Sequence, residues 1–198
     1  MKYPLAKQGI FVTIQGEGKL LGVPMVFVRL AGCSVGCSEC DTDYSVSERA
    51  TTAEIVRRVI ECATNSRWVW ITGGEPTTHN LQPLVSQLRD YGFRIALATA
   101  GVGHPPIGVE FVSVSPHRID DSWVLRHGNQ LNIVPGLNGL SLADLEGVDV
   151  SGFARKFVTP CWYTPGDRAE RVAECAAWVQ SHTGWRLGIQ AHKQWGVA

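Results

Sequence analysis

The chain contains no run approaching the roughly 18 consecutive apolar residues that a membrane-crossing helix needs. No charge of one sign prevails either, since 18 Lys and Arg stand against 18 Asp and Glu. That balance excludes a strongly basic nucleic-acid binder held by many phosphate contacts. It also excludes a polybasic membrane anchor. Charge is sparse as well, at 18% of residues against about 25% in an ordinary soluble domain. Residues 1–18 lack an apolar segment of signal-peptide length and a small-residue cleavage site. The expectation is a cytosolic protein that touches neither membrane nor nucleic acid directly. Internal repeats, low-complexity tracts and linker-like shifts in composition are also missing, so residues 1–198 read as one domain.

What is present is enough to bury a core: 44% of the 198 residues are hydrophobic. Apolar, β-branched runs fall at 25–30 (MVFVRL), 68–71 (WVWI), 93–99, 109–114, 131–134, 154–158 and 186–190. Several are continuous rather than alternating, as suits strands covered on both faces of a parallel sheet. Helical patterns occupy 51–63, behind a Thr cap, then 80–91 and 167–182, with a shorter turn at 141–146. Strand–helix alternation predicts an α/β fold with a mostly parallel sheet. About seven strands with only three good helices predict an incomplete, reduced (βα) barrel rather than a closed eight-fold one.

Three of the six cysteines crowd into eight residues, at Cys33, Cys37 and Cys40, with spacing C-x3-C-x2-C. In a reducing compartment, clustered cysteines are metal ligands or catalytic groups more often than disulfides. A structural zinc site wants four ligands, and no fourth Cys or His stands at zinc-finger spacing. Three thiolates suit a [4Fe–4S] cluster with one iron left open. Cys62, Cys161 and Cys175 are scattered and read as small buried hydrophobes. Directly after the strand WVWI comes Thr72-Gly73-Gly74-Glu75-Pro76, whose two glycines allow a ligand close to the backbone. The cysteine spacing and this turn together resemble the radical S-adenosylmethionine enzymes.

Other residues carry possible chemistry with a plainer alternative beside each. Gln15 and Glu17 flank Gly16, so an amide and a carboxylate can read the donor–acceptor edge of a planar heterocycle, though a surface turn has the same composition. Arg29 lies inside an apolar strand and asks for an anionic partner, either a ligand carboxylate or a structural Asp or Glu. Thr42 offers a hard oxygen to magnesium or a local cap to the backbone. His192 alone reads as a structural histidine.

Taken together, Thr13-Ile14-Gln15-Gly16-Glu17-Gly18, Phe27-Val28-Arg29-Leu30, Cys40-Asp41-Thr42 and Gln190-Ala191-His192-Lys193 resemble the 7-carboxy-7-deazaguanine synthase family. That resemblance implies the cluster on Cys33, Cys37 and Cys40, which would also be the catalytic centre. It implies S-adenosylmethionine at Glu39, Cys40, Asp41, Gly73, Gly74, Glu75 and the turn Ser115-Pro116-His117. Magnesium would sit on Thr42. The substrate, 6-carboxy-5,6,7,8-tetrahydropterin, would touch Ile14, Gln15, Gly16, Glu17, Arg29, Thr72, His192 and the terminal Ala198. The implied reaction is a radical ring contraction to 7-carboxy-7-deazaguanine with loss of ammonia, supplying 7-deazapurines of the queuosine type. A flavodoxin-like reductant and a homodimer follow from the same resemblance.

The middle of the chain departs from that family. A glutamate is replaced by Ala98, a lysine by His117, a second lysine by Asn132 and a glutamine by Thr159. Two other readings stand beside the main one: a radical activase of a glycyl-radical protein, and a zinc-stabilised interaction domain without catalysis.

Overall fold

The structure, a computed structural model, describes residues 1–37, 40, 42–162 and 168–197. Nine strands form one sheet: β1 (Lys2–Ile14), β2 (Pro24–Leu30), β3 (Glu48–Thr51), β4 (Trp68–Gly73), β5 (Arg94–Thr99), β6 (Phe111–Val114), β7 (Gln130–Ile133), β8 (Lys156–Val158) and β9 (Trp185–Leu187). Their spatial order is β3-β1-β2-β4-β5-β6-β7-β8-β9. From β2 to β9 every pairing is parallel, and β1 runs antiparallel to both β2 and β3. The sheet stays open, with β3 and β9 at its edges. The reduced, unclosed barrel expected from the strand–helix count is therefore the fold observed.

All seven expected strands are present. Two more, β1 and β3, extend the sheet on its antiparallel side. The pattern of β1 was masked by a bulge: its register shifts between Leu5 and Ile10, and Gln8 has φ +55°. A register shift flips which residues face the core, so the alternation that marks a strand breaks in mid-run.

The helices are α1 (Thr52–Cys62), α2 (Gln82–Asp90), α3 (Arg168–Ser181) and the short α4 (Ala191–Trp195). Thr51 caps α1 with a reciprocal box, in which its hydroxyl accepts from the Glu54 N–H while the Glu54 carboxylate accepts from the Thr51 N–H at 2.7 Å. The Asp expected to cap α3, Asp167, lies outside the described residues. The turn expected at 141–146 is a single 3-10 turn, Ala143–Leu145.

Register divides the strands into two faces. Val26, Val28 and Leu30 of β2, with Val69, Ile71, Ile95 and Leu97, pack under Ile55, Val56 and Val59 of α1 and Leu84, Val85 and Leu88 of α2. Further along, Val114, Leu131, Ile133 and Val158 pack with Cys175, Trp178 and Val179 of α3. The opposite face is concave. It begins with aromatic groups, Phe27, Trp70 and Phe111, around Met25 and Ala96. It turns polar toward the carboxyl ends of the strands, which is where ligands bind in open α/β sheets.

Leu97 is fully buried in the helix-facing core. Leu97→Ala is expected to lower unfolding free energy by about 2–5 kcal/mol, with an unchanged urea m-value. A loss under about 1 kcal/mol in urea denaturation would show that this layer collapses around the gap.

Candidate active site

The loop after β2 and the turn after β4 meet at the carboxyl end of the sheet. Gly74 N donates to Leu30 O and Glu75 N donates to Gly32 O, each at 2.9 Å. Bare backbone is required here. A methyl on Gly73, at φ +118°, would fall on the Leu30 carbonyl and amide, and one on Gly74 would fall on the Gly32 carbonyl. Since these two amides are already engaged, a bound amine would find carbonyl acceptors on the turn.

Glu75 is 1% exposed, and its carboxylate is spoken for. It accepts from Thr77 N at 3.0 Å, Thr77 Oγ1 at 2.7 Å, Thr99 Oγ1 at 2.7 Å and Ala100 N at 2.7 Å. Its side chain thus braces the turn against the end of β5.

Between these elements lies a cavity of about 270 Å³. Cys33, Cys37, Cys40 and Thr42 line it on one side, and Gly73, Gly74 and Glu75 on another. Arg29 and Thr72 reach it from the concave face, Ser115 and His117 from the end of β6. Ile14, Gln15, Gly16 and Glu17 close it from the β1–β2 connection, and His192 from α4. Of the residues expected at the site, Pro116 lies between two that line the cavity. Glu39, Asp41 and Ala198 lie outside the described residues.

The cysteine end has a definite electrostatic character. Burial pushes the Cys37 thiol up to about 11. The neighbouring Cys40 and Cys33 raise it further, while a hydrogen bond from Asn138 pulls the other way. Asn138 Nδ2 donates to Cys37 Sγ at 3.2 Å, and His117 Nδ1 stands 2.9 Å from the same sulfur. Three adjacent thiols in a half-buried pocket resist joint ionisation, because each thiolate disfavours the next. A cationic metal centre removes that resistance and is bound through the thiolates it creates. Among the described residues no three His, Cys, Asp or Glu side chains converge on one ion. The cysteines instead line one cavity together, a donor set that fits a four-iron cluster with three irons on thiolates and one left open.

The opposite end is tied together by residues far apart in sequence. Ala191 N donates to Gly16 O at 2.9 Å, and a methyl on Gly16 would fall on the His192 ring. The 3-10 turn Gly18–Leu20 crosses the open end of the sheet, where Lys19 N donates to Gln130 Oε1 at 2.8 Å. The Glu17 carboxylate accepts from Gln190 Nε2 at 3.0 Å and from Asn132 Nδ2 at 3.2 Å. Arg29 lies over the Phe11 ring, 4.9 Å from its centroid, as it enters the cavity.

Sequence reasoning gave no role to several residues found here. Gln190 stood inside a quoted motif without one. Asn138 carried no signal, being a lone Asn at φ +52° in a loop. Cys161, read as a structural thiol, is 4% exposed and also lines the cavity.

Comparison with known proteins gives a consistent set of relatives. No family model matches the chain. A 7-carboxy-7-deazaguanine synthase of Synechocystis sp. is 30% identical over 203 residues, covering 100% of this chain and 94% of that relative. One from Burkholderia multivorans is 32% identical over 208 residues, covering 95% and 96%. Among solved structures, the crystal structure of QueE from Escherichia coli matches with a TM-score of 0.76 and 25% identity, over 96% of this chain and 94% of that one.

In metal-free protein, Cys37 stays a thiol until pH nears about 11. At pH 8 it therefore holds roughly a hundred-fold less thiolate than an ordinary cysteine. Iodoacetamide is expected to label the exposed Cys40 well before Cys37, with Cys37 labelling accelerating as pH rises. Equal rates by peptide mass spectrometry at pH 8 would contradict this.

Proposed function

This chain belongs to the 7-carboxy-7-deazaguanine synthase family, and we propose that it converts 6-carboxy-5,6,7,8-tetrahydropterin to 7-carboxy-7-deazaguanine with loss of ammonia. The observation that carries this reading is one cavity shared by three cysteines, a two-glycine turn and a Gln15–Glu17–Arg29 group. In this reading Cys33, Cys37 and Cys40 hold a [4Fe–4S] cluster, with S-adenosylmethionine on the Gly73–Gly74 carbonyls and the turn from Ser115 to His117. When bound, the cluster and S-adenosylmethionine supply the one-electron chemistry that begins hydrogen removal from the pterin.

The chain's own residues bind and orient. Arg29, raised over Phe11 into the cavity, supplies a fixed cation for the substrate carboxylate. Thr42 offers its hydroxyl oxygen to Mg²⁺ beside that carboxylate, since magnesium takes hard oxygen ligands and bridges few protein groups. Gln15, 5% exposed, accepts from Glu17 N at 3.1 Å, and this fixes the turn that presents the Glu17 carboxylate to the pterin edge. Thr72 and Ile14 flank the ring, and His192 covers it. The aromatic floor of Phe27, Trp70 and Phe111 keeps water from the reacting carbon.

The sheet runs unbroken from β3 to β9, which supports reading residues 1–198 as one catalytic unit. Among the described residues no helix is long and apolar enough to cross a membrane. We place the enzyme in the cytoplasm as a homodimer, reduced by a flavodoxin-like protein and serving queuosine-type 7-deazapurine synthesis.

Oxygen-free reconstitution is expected to give a brown protein with about four irons per chain, and Cys33→Ser should lose most of that iron. Zinc in place of iron, or no deazaguanine product with substrate and S-adenosylmethionine supplied, would refute the proposal. Thr42→Ala should abolish most of the stimulation by Mg²⁺, raising the substrate KM roughly 10-fold or more; an unchanged magnesium response in steady-state assays removes Thr42 from that role.

A further inference from the structure

Two of the four departures from the family pattern turn out to touch each other. Thr159 Oγ1 donates to Asn132 Oδ1 at 2.6 Å, with both side chains buried at 2% and 5% exposure. Ser115 Oγ donates to the Asn132 main-chain carbonyl at 2.7 Å, fixing the strand from the other side. Gly188 lies against the pair, and a methyl there would fall on Thr159 Oγ1. Room for this hydroxyl therefore depends on bare backbone in the segment leading to α4.

An asparagine amide has a donor end and an acceptor end of nearly equal size. The Glu17 carboxylate can only accept, so it draws Nδ2 to its Oε2 at 3.2 Å, and Oδ1 is left to accept from the Thr159 hydroxyl at 2.6 Å. The reversed amide would set its oxygen against a carboxylate oxygen, a repulsive contact in a half-buried site. Gln190 Nε2 holds the other carboxylate oxygen at 3.0 Å. A carboxylate gripped at both oxygens cannot swing, and its remaining lone pairs keep one direction toward a ligand.

We infer that Asn132 and Gln190 are positioning residues for Glu17, that Thr159 anchors Asn132 in place, and that this clamp fixes affinity for the pterin edge rather than for S-adenosylmethionine. The inference rests on the substrate reading above, in which Glu17 touches the pterin. The exchange of lysine for Asn132 and of glutamine for Thr159 is then a single change. A long cationic side chain and a long amide give way to two short groups that satisfy each other and serve Glu17.

The test uses oxygen-free reconstituted holoenzyme titrated with 6-carboxypterin, an unreactive oxidised relative of the substrate, and separately with S-adenosylmethionine. Thr159→Val is expected to weaken 6-carboxypterin binding about 10-fold and to raise substrate KM similarly. Its kcat and its S-adenosylmethionine Kd should stay near wild type. Thr159→Ser keeps the hydroxyl and should restore pterin binding. Gln190→Leu leaves the buried pair intact and should weaken pterin binding by a comparable factor, which keeps the test readable if Thr159→Val folds poorly. Unchanged pterin binding in both Thr159→Val and Gln190→Leu overturns the inference. So does equal weakening of both ligands that Thr159→Ser fails to rescue, the mark of a merely structural pair. If wild-type enzyme binds S-adenosylmethionine but not 6-carboxypterin, the substrate reading itself fails and takes the inference with it.

Discussion

The backbone clasp between the end of β2 and the turn after β4 is the constraint on which the cavity depends. Leu30 and Gly32 offer carbonyls, Gly74 and Glu75 offer amides, and the two chains approach so closely that no side chain fits between them. Parallel pairing of Arg29 with Thr72 and of Leu30 with Gly73 leads directly into this contact. The cysteine loop starts one residue beyond the clasp, so its position follows from the register of two core strands. His79 adds a second tie by bringing its Nε2 within 3.1 Å of Ala31 O. Glu75 carries the same order onward to β5 through Thr99 and Ala100. A buried carboxylate would be costly alone, and four donors make it a hub instead.

An open sheet has to solve a problem that a closed barrel does not, because its concave face would otherwise be wet. Here the narrow end is filled by aromatic rings. Phe11 stacks on Phe27 with centroids 5.4 Å apart, and Phe27, Trp70 and Phe111 follow at 6.2 Å intervals. Beyond them the β1–β2 connection folds over the gap to reach Gln130, whose amide also donates to Ser113 Oγ at 2.9 Å. Finally α4 comes down on Gly16. The polar residues of the site are thus mounted on segments that also serve as the missing wall. That double duty explains why Gly16 has no side chain, since the His192 ring occupies the space one would need.

Much of this was legible in the sequence for a simple reason. Strands β4 to β7 and helices α1 to α3 each carry a hydrophobic period of their own, and the cysteine spacing and the two glycines are local signals. What escaped notice is non-local or irregular. The bulge at Gln8 hid β1, and β3 is a four-residue strand whose Glu48 and Arg49 are exposed. The five-residue α4 is too short to show a period. In the site, the contact of Glu75 with Thr99, 24 residues on, leaves no local signal. Asn132 and Thr159 each read as a lost contact because sequence separates them by 27 residues, while register puts them on one face of β7 and the end of β8.

The cysteine end is held by contacts of the same kind. His117 brings a ring nitrogen to 2.9 Å from Cys37 Sγ, and Asn138 brings an amide to 3.2 Å from the same atom. A permanent cation steadies a group of thiolates from a distance through charge alone. A hydrogen-bond donor does so only at contact, but it works in a pocket where burial already penalises the charged form. Burial holds the Cys37 thiol up, and the Asn138 hydrogen bond and the Arg118 charge offset part of that. Asn138 can take that position because asparagine tolerates the left-handed backbone better than most residues, and its φ is +52°. Ala98 lines the same cavity and adds no charge to it. An uncharged side chain beside three thiols and Glu17 adds no repulsion to overcome. The Cys37 thiol is therefore steadied by contacts at its own sulfur, and a cationic centre bound through thiolates would relieve the repulsion among all three.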